Sequence, residues 1–272
     1  MEKRILCLGV CITATALILA FALIYTGIVP LAPVGNRPLA IIFLESTFNA
    51  EKWWLWAGSP EVVTSILWDY RGIDTVYETT VFFLAIIGAI TVVRTMKLFP
   101  ETSGKGKGLT VIAKTVTKIT FATIPIIAFS IAVHGHLTPG GGFQAGSAFA
   151  VAPLLVIAAL SLRLLVDRGW SKERLLALRT TGLILVGIIA IIVPVLSLLR
   201  HSIAYIMQNQ AKLWAPAGLS AVVDLLGVKS LLSGTLFWLN FSEFLAVSAG
   251  LSLVFVLLAA PTKNFDKEVK AQ

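Results

Sequence analysis

The chain has 272 residues, of which 57% are hydrophobic and only 13% charged, with a mean hydropathy of +0.89. The charged share is about half that of an ordinary soluble domain, and several uncharged runs approach or exceed the ~20 residues that cross a hydrocarbon core, which together exclude a soluble globular fold. The net charge of +8 falls between the hydrophobic runs, where it reads as membrane topology and not as a nucleic-acid surface.

No segment alternates apolar and polar residues over ~10 positions, as a membrane barrel strand would. The predicted fold class is therefore an all-α integral membrane protein with six transmembrane helices. Lys3 and Arg4 precede the first apolar run, Ile5 to Val29, which is too long for a signal-peptide core. Cys7 and Cys11 lie one helical turn apart in it. That spacing is unsuited to a disulfide, and two thiols do not complete a tetrahedral metal site, so they read as packing residues. Pro30, Pro33 and Pro38 then break the helix. Residues 30–60 read as a mixed loop whose Trp53, Trp54 and Trp56 suit the headgroup level.

Ser59-Pro60-Glu61 predicts a helix start, with Ser59 as N-cap and Pro60 in the first helical position. The second predicted helix ends near Val93. Within it Arg71, Asp74 and Glu78 are spaced by three and four, and share a face if the helix runs on through Gly72. Two acids against one arginine leave an excess negative charge, which suits the mouth of a cation pathway. An interfacial ion pair is the structural alternative. A Gly-Lys-Gly-Lys-Gly linker follows and divides the chain into a two-helix unit at 1–98, the linker at 99–108, a four-helix domain at 109–262 and a charged tail at 263–272.

The predicted third helix runs from Thr110 to His134 and the fourth from Gly142 to Leu165. Arg163, Arg168, Lys172, Arg174 and Arg179 surround the next turn. The fifth helix spans Thr180 to Leu199, residues 200–233 are amphipathic and broken by Pro216 and Gly227, and the sixth helix runs from Gly234 to Ala260. Arg37, Lys52, Arg71, Arg200, Lys212 and Lys229 fall on one side of this arrangement, and every other Lys and Arg on the other. That asymmetry predicts cytoplasmic N and C termini.

Between the third and fourth helices lies HGHLTPGGGFQAG, His134 to Gly146. Three consecutive glycines lose more backbone entropy than any other tripeptide, so the run marks a tight turn or a close approach of another surface. His134, His136, Pro139, Gly140, Gly141, Gly142 and Gln144 are candidates for a structural or gating loop. The histidines titrate near neutral pH; gating, proton handling and hydrogen bonding that fixes the turn are the readings open to them. A metal site lacks further ligands nearby. Gly142, Gly146 and Ala150, four apart, predict close packing of a partner helix.

Glu243 lies about 13 Å into the sixth helix, with Asn240 on the same face. A carboxylate at that depth carries an insertion penalty of about 2.5–3.5 kcal/mol. It reads either as a proton or cation relay or as a hydrogen-bonded group joining helices. No phosphate loop, nucleophile elbow, haem motif, cysteine cluster or dinucleotide fingerprint is present, so no catalytic residue and no cofactor site is expected in this chain.

The loop HGHLTPGGGFQAG resembles the signature of the MnhB/MrpB family, a small hydrophobic subunit of multisubunit Na+/H+ antiporters, and the resemblance extends over about residues 109–260. Ala145 stands where the family often has Gly. VVTSILWDYRGIDTVYETTVFFLAIIGA is similar to the C-terminal segment of the large antiporter subunit, in which a DFRGFDTLGE-like stretch enters a helix. Tyr70 replaces the usual Phe, and Val76-Tyr77 replace Leu-Gly. The resemblance implies that Glu78 belongs to an ion-translocating region. It further implies a fusion of two adjacent small subunits, as in membrane-bound hydrogenase-type complexes. The partners then expected are other small membrane subunits, the lipid bilayer, and transported Na+ and H+, in a multi-pass protein of the plasma membrane. A stand-alone Mrp-type antiporter and a purely structural assembly role are the alternatives.

Overall fold

The computed structural model describes residues 2–27, 35–92, 109–225 and 227–259. The linker 99–108, the tail 263–272, and Pro30 and Pro33 lie outside the described residues. The chain divides into two compact units, residues 1–42 and 43–272. The first contains α1, Glu2–Tyr25, whose Thr13 and Thr15 hydroxyls donate back to Gly9 and Cys11 carbonyls. Cys7 and Cys11 are free and exposed on it, so they are not packing residues within this unit.

The second unit is built on helices of widely different length. In order these are α2, Pro38–Thr47, which begins in the first unit; α3, Val62–Ser65; α4, Gly72–Val92; α5, Val111–His134; α6, Gly142–Ala159; α7, Leu162–Asp167; α8, Lys172–Leu199; and α9, Thr235–Leu258. A short antiparallel hairpin, β1 (Val222–Leu225) and β2 (Val228–Leu231), precedes α9 and pairs Val222 with Leu231. Of the described helices, α4, α5, α6, α8 and α9 are long and apolar enough to cross a membrane, and the apolar stretch Gly9–Tyr25 of α1 is shorter.

Helix starts follow their capping residues. Thr110, Ser161 and Ser171 each accept a backbone N–H three residues on, satisfying donors that the first turn leaves free. Ser171 therefore starts α8 eight residues earlier than hydropathy predicts, and Arg179 lies inside the helix and not in the preceding turn. Pro38 opens α2, where its missing N–H is harmless, so a helix occupies part of the predicted loop.

The predicted second helix is broken. Glu61, not Ser59, is the N-cap of α3, accepting from the Thr64 N–H. A π-helical turn, Ile66–Tyr70, ends at Arg71, and α4 starts anew at Gly72. Arg71 therefore does not share one continuous helical face with Asp74 and Glu78.

The core is organised around α9. Two thirds of its apolar window (67%) is buried within the chain, against 17% for α4 and for α5. A helix apolar all round belongs at the centre of a bundle. Leu236 and Leu239 pack with Trp68, Val186 and Met207. Leu253 and Val256 pack with Ile86 and Leu175. Phe244 packs with Ala128, Ala132 and Ala145. The exposed faces of α4 and α5 are left for lipid or neighbouring chains.

Candidate functional site

The glycine loop sits against the middle of α9. Gly140 and Gly141 both have φ +154°, a region that favours glycine. Gly142 is required for a different reason: a Cβ there would lie 2.3 Å from the Asn240 carbonyl oxygen and 2.6 Å from the Glu243 Cβ. One turn on, a Cβ at Gly146 would fall 2.7 Å from the Val247 Cβ. The small-residue ridge of α6 thus has α9 of the same chain as its partner helix.

Glu243 is buried, and its Oε2 accepts the Phe143 N–H at 3.1 Å. The N-cap of α6 is Gly141, which has no side chain to cap with. A carboxylate from α9 supplies that function, placed where the α6 dipole favours negative charge. Asn240, one turn earlier, accepts from Trp68 Nε1 at 3.1 Å, while its own Nδ2 is enclosed without an acceptor among the described residues.

Glu78 is exposed on α4. It makes no ion pair with the described residues. Arg71 is spent on Asp74, with Nε to Oδ2 at 2.6 Å, and both side chains are exposed. The structure therefore sets the Arg71–Asp74 pair apart as a local bridge and leaves Glu78 outside it.

The two histidines separate. His134 is exposed, its Nδ1 donating to the Ser130 carbonyl at 2.9 Å. His136 is buried, and its Nε2 donates to the Leu231 carbonyl at 2.8 Å on the hairpin. Burial lowers its pKa below the ordinary histidine value, against a smaller opposing effect from the Leu231 carbonyl. The backbone oxygens of this stretch are also used: Ser59 Oγ donates to the His136 carbonyl, and Thr64 Oγ1 to that of Gly135 at 2.5 Å. Pro139 and Gln144 are exposed.

Sequence reasoning missed one neighbouring anchor. Lys212 Nζ donates to Asp69 Oδ2 at 2.7 Å and to the Trp56 carbonyl at 2.9 Å, with the Asp69 side chain only 1% exposed. Burial pushes the Asp69 carboxyl upward, and Lys212 opposes this. Arg179 was also missed, although its signal is present: Leu175, Arg179, Gly182 and Val186 follow one helical stripe, and all are buried. Among the described residues, no three His, Cys, Asp or Glu side chains gather as a metal-ligand set.

These features define a multi-pass helical membrane protein whose interior carries a few positioned polar groups. Residues 112–253, over half of the chain, match the family described as a domain related to the MnhB subunit of Na+/H+ antiporter, and the chain belongs to that family. The fold is similar to a chain in the structure of the membrane-bound sulfane sulfur reductase (MBS), an archaeal respiratory membrane complex. That match has 23% identity and a TM-score of 0.60, and covers 96% of this chain and 100% of that one. It is also similar to a chain of the Mrp complex from Dietzia sp. DQ12-45-1b, at 17% identity and a TM-score of 0.56, covering 93% of this chain and 26% of that one. No curated protein sequence matches.

Proposed function

We propose that the chain is a non-catalytic membrane subunit of an Mrp-antiporter-like Na+/H+ translocating module, in a membrane-bound respiratory complex of hydrogenase or sulfur-reductase type. It packs against other small membrane subunits in the plasma membrane, with both termini cytoplasmic, and lends Glu78 to a hydrated cation path. Residues 1–98 act as the unit resembling the large-subunit segment, fused through 99–108 to the MnhB-like domain at 109–262. The observation that carries this reading is Glu78 itself. An exposed carboxylate on a membrane-spanning helix, without an ion pair among the described residues, needs a cation or a polar neighbour to offset its desolvation. The test is Na+ flux in proteoliposomes holding the complex with Glu78→Gln. A loss of flux per complex is expected, and wild-type flux overturns the assignment.

A structural reading of Glu243 is favoured by one specific contact, its acceptance of the Phe143 N–H. On that reading Glu243→Leu lowers complex yield, while Glu243→Gln, which keeps an acceptor oxygen, leaves flux per complex unchanged. A Glu243→Gln complex with normal yield and lost flux would place Glu243 in the cation path beside Glu78.

A further inference from the structure

The turn that leads from α6 through α7 to α8 lies against α5 and α6 at one end of the bundle. The Leu109 N–H donates to the Ala159 carbonyl at 3.1 Å, which sets the start of α5 beside the end of α6. Trp170, between α7 and α8, stacks on Phe149 of α6 with ring centroids 6.2 Å apart, and stands 6.4 Å from Phe121 of α5. All three rings are half-buried. The turn that presents Trp170 is held in place: Arg174 Nη1 donates to the Gly169 carbonyl at 3.2 Å, and Gly169 takes φ +93°, where a Cβ would collide with that guanidinium.

Basic side chains gather around these rings. Arg168 and Lys172 lie two residues to either side of Trp170. Lys114 precedes Phe121 by seven residues, so it shares that face of α5 and lies about 10 Å nearer the end of the helix. Lys118 is one turn from Phe121. None of these four makes an ion pair with the described residues. The turn holds two acids, Asp167, which pairs with Arg163 at 3.7 Å, and Glu173, which is exposed. The local balance is therefore positive.

We propose that this crevice binds an anionic phospholipid, with the phosphate among Lys114, Arg168 and Lys172 and an acyl chain against Phe121, Phe149 and Trp170. Topology accounts for basic residues on this side of the membrane but does not fix where on that side they stand. Here Lys114 stands above a half-buried aromatic floor, so the surface passes from cationic to apolar within about 10 Å along α5. A headgroup layer is roughly 5–8 Å thick, so a lipid whose phosphate meets Lys114 has its acyl carbons at the level of the rings. Tryptophan favours the same boundary.

The charge of the rest of this side favours a lipid over the chain's own acids. Residues 93–108 set Glu101 among Arg94, Lys97, Lys105 and Lys107, and residues 260–272 set Asp266 and Glu268 among Lys263, Lys267 and Lys270. Both segments are net basic and are poor counter-ions for a basic crevice.

The test uses the full-length chain, purified in mild detergent with the subunits that accompany it. It is labelled with phosphatidylglycerol or phosphatidylcholine carrying a photoactivatable diazirine in the acyl chain, and adducts are mapped by mass spectrometry. The expected adduct is phosphatidylglycerol on the peptides holding Phe121 or Trp170, at about tenfold the yield of phosphatidylcholine. Lys114→Gln with Lys172→Gln is expected to lower that yield about tenfold, to the phosphatidylcholine level, and Lys114→Arg with Lys172→Arg to keep it. Equal labelling by the two lipids overturns the proposal, as does undiminished labelling of the Gln pair. A zero-length cross-link from Lys114 or Lys172 to Glu101, Asp266 or Glu268 overturns it as well, because the chain then fills its own crevice. If the Gln pair does not assemble, the comparison of the two lipids on the wild-type protein still decides. The inference is independent of the cation path assigned to Glu78.

Discussion

The Phe143 N–H of α6 donates to the Glu243 carboxylate of α9 at 3.1 Å, across a hundred residues of sequence. This bond explains why the loop before α6 ends in glycine. The capping side chain comes from α9, and any Cβ at Gly142 would occupy its path.

Gly142→Ala is therefore expected to force α6 from α9. Overpacking of this kind costs about 1–3 kcal/mol. Gly88→Ala on α4, where a Cβ meets nothing within 4 Å, is expected to be neutral, or stabilising by up to about 1 kcal/mol. Thermal unfolding of the two variants in the same detergent compares them directly.

Glu243→Leu removes the cap and is expected to lower stability by about 1 kcal/mol. Glu243→Gln keeps an acceptor oxygen and is expected to fold close to wild type. Equal destabilisation of both variants would mean that the charge, and not the hydrogen bond, holds α6.

Lys212→Met leaves the enclosed Asp69 without its counter-ion and is expected to cost about 3–5 kcal/mol. Adding Asp69→Leu is expected to recover most of that loss. The pH dependence has a definite sign. Burial holds the Asp69 carboxyl above its ordinary value, so the folded chain keeps a proton over a range where the unfolded chain has lost it. Stability from this group is present at low pH and falls as pH rises through that range. Without Lys212 the range extends upward, and the variant is expected to lose stability with rising pH more steeply than wild type.

His136 has the opposite sign. Its pKa is lowered by burial, so the folded loop holds it neutral while the unfolded chain takes up a proton near pH ~6.5. Its contribution is complete above that value and is lost as pH falls through the folded pKa. The protection factors of the β2 and glycine-loop amides, with the intrinsic pH dependence of exchange divided out, are expected to fall on acidification, and His136→Gln to flatten that response.

Much of the fold is legible in the residues. The runs that became α5, α6 and α9 are visible as uncharged stretches, and Thr110 marks the start of α5 within one residue. Two features were hidden by their neighbours. The predicted second helix is interrupted because Arg71 closes a π-helical turn before Gly72, and no propensity argument anticipates that geometry. The hairpin of residues 222–231 is too short and too exposed to give a strong alternation signal. Arg179 was legible in principle, since it falls in phase with Leu175, Gly182 and Val186.

Hydropathy alone determined that this chain is a set of membrane helices, and the glycine run alone marked where two of them turn. Both are local properties: in a bilayer the backbone must satisfy its own hydrogen bonds, so a long apolar run has one solution. Tertiary structure decided which polar groups meet. Glu243 reaches Phe143, Lys212 reaches Asp69 and Trp68 reaches Asn240 across 100, 143 and 172 residues. Those pairings depend on how closely helices approach and at what rotation, and only the packed bundle fixes either quantity.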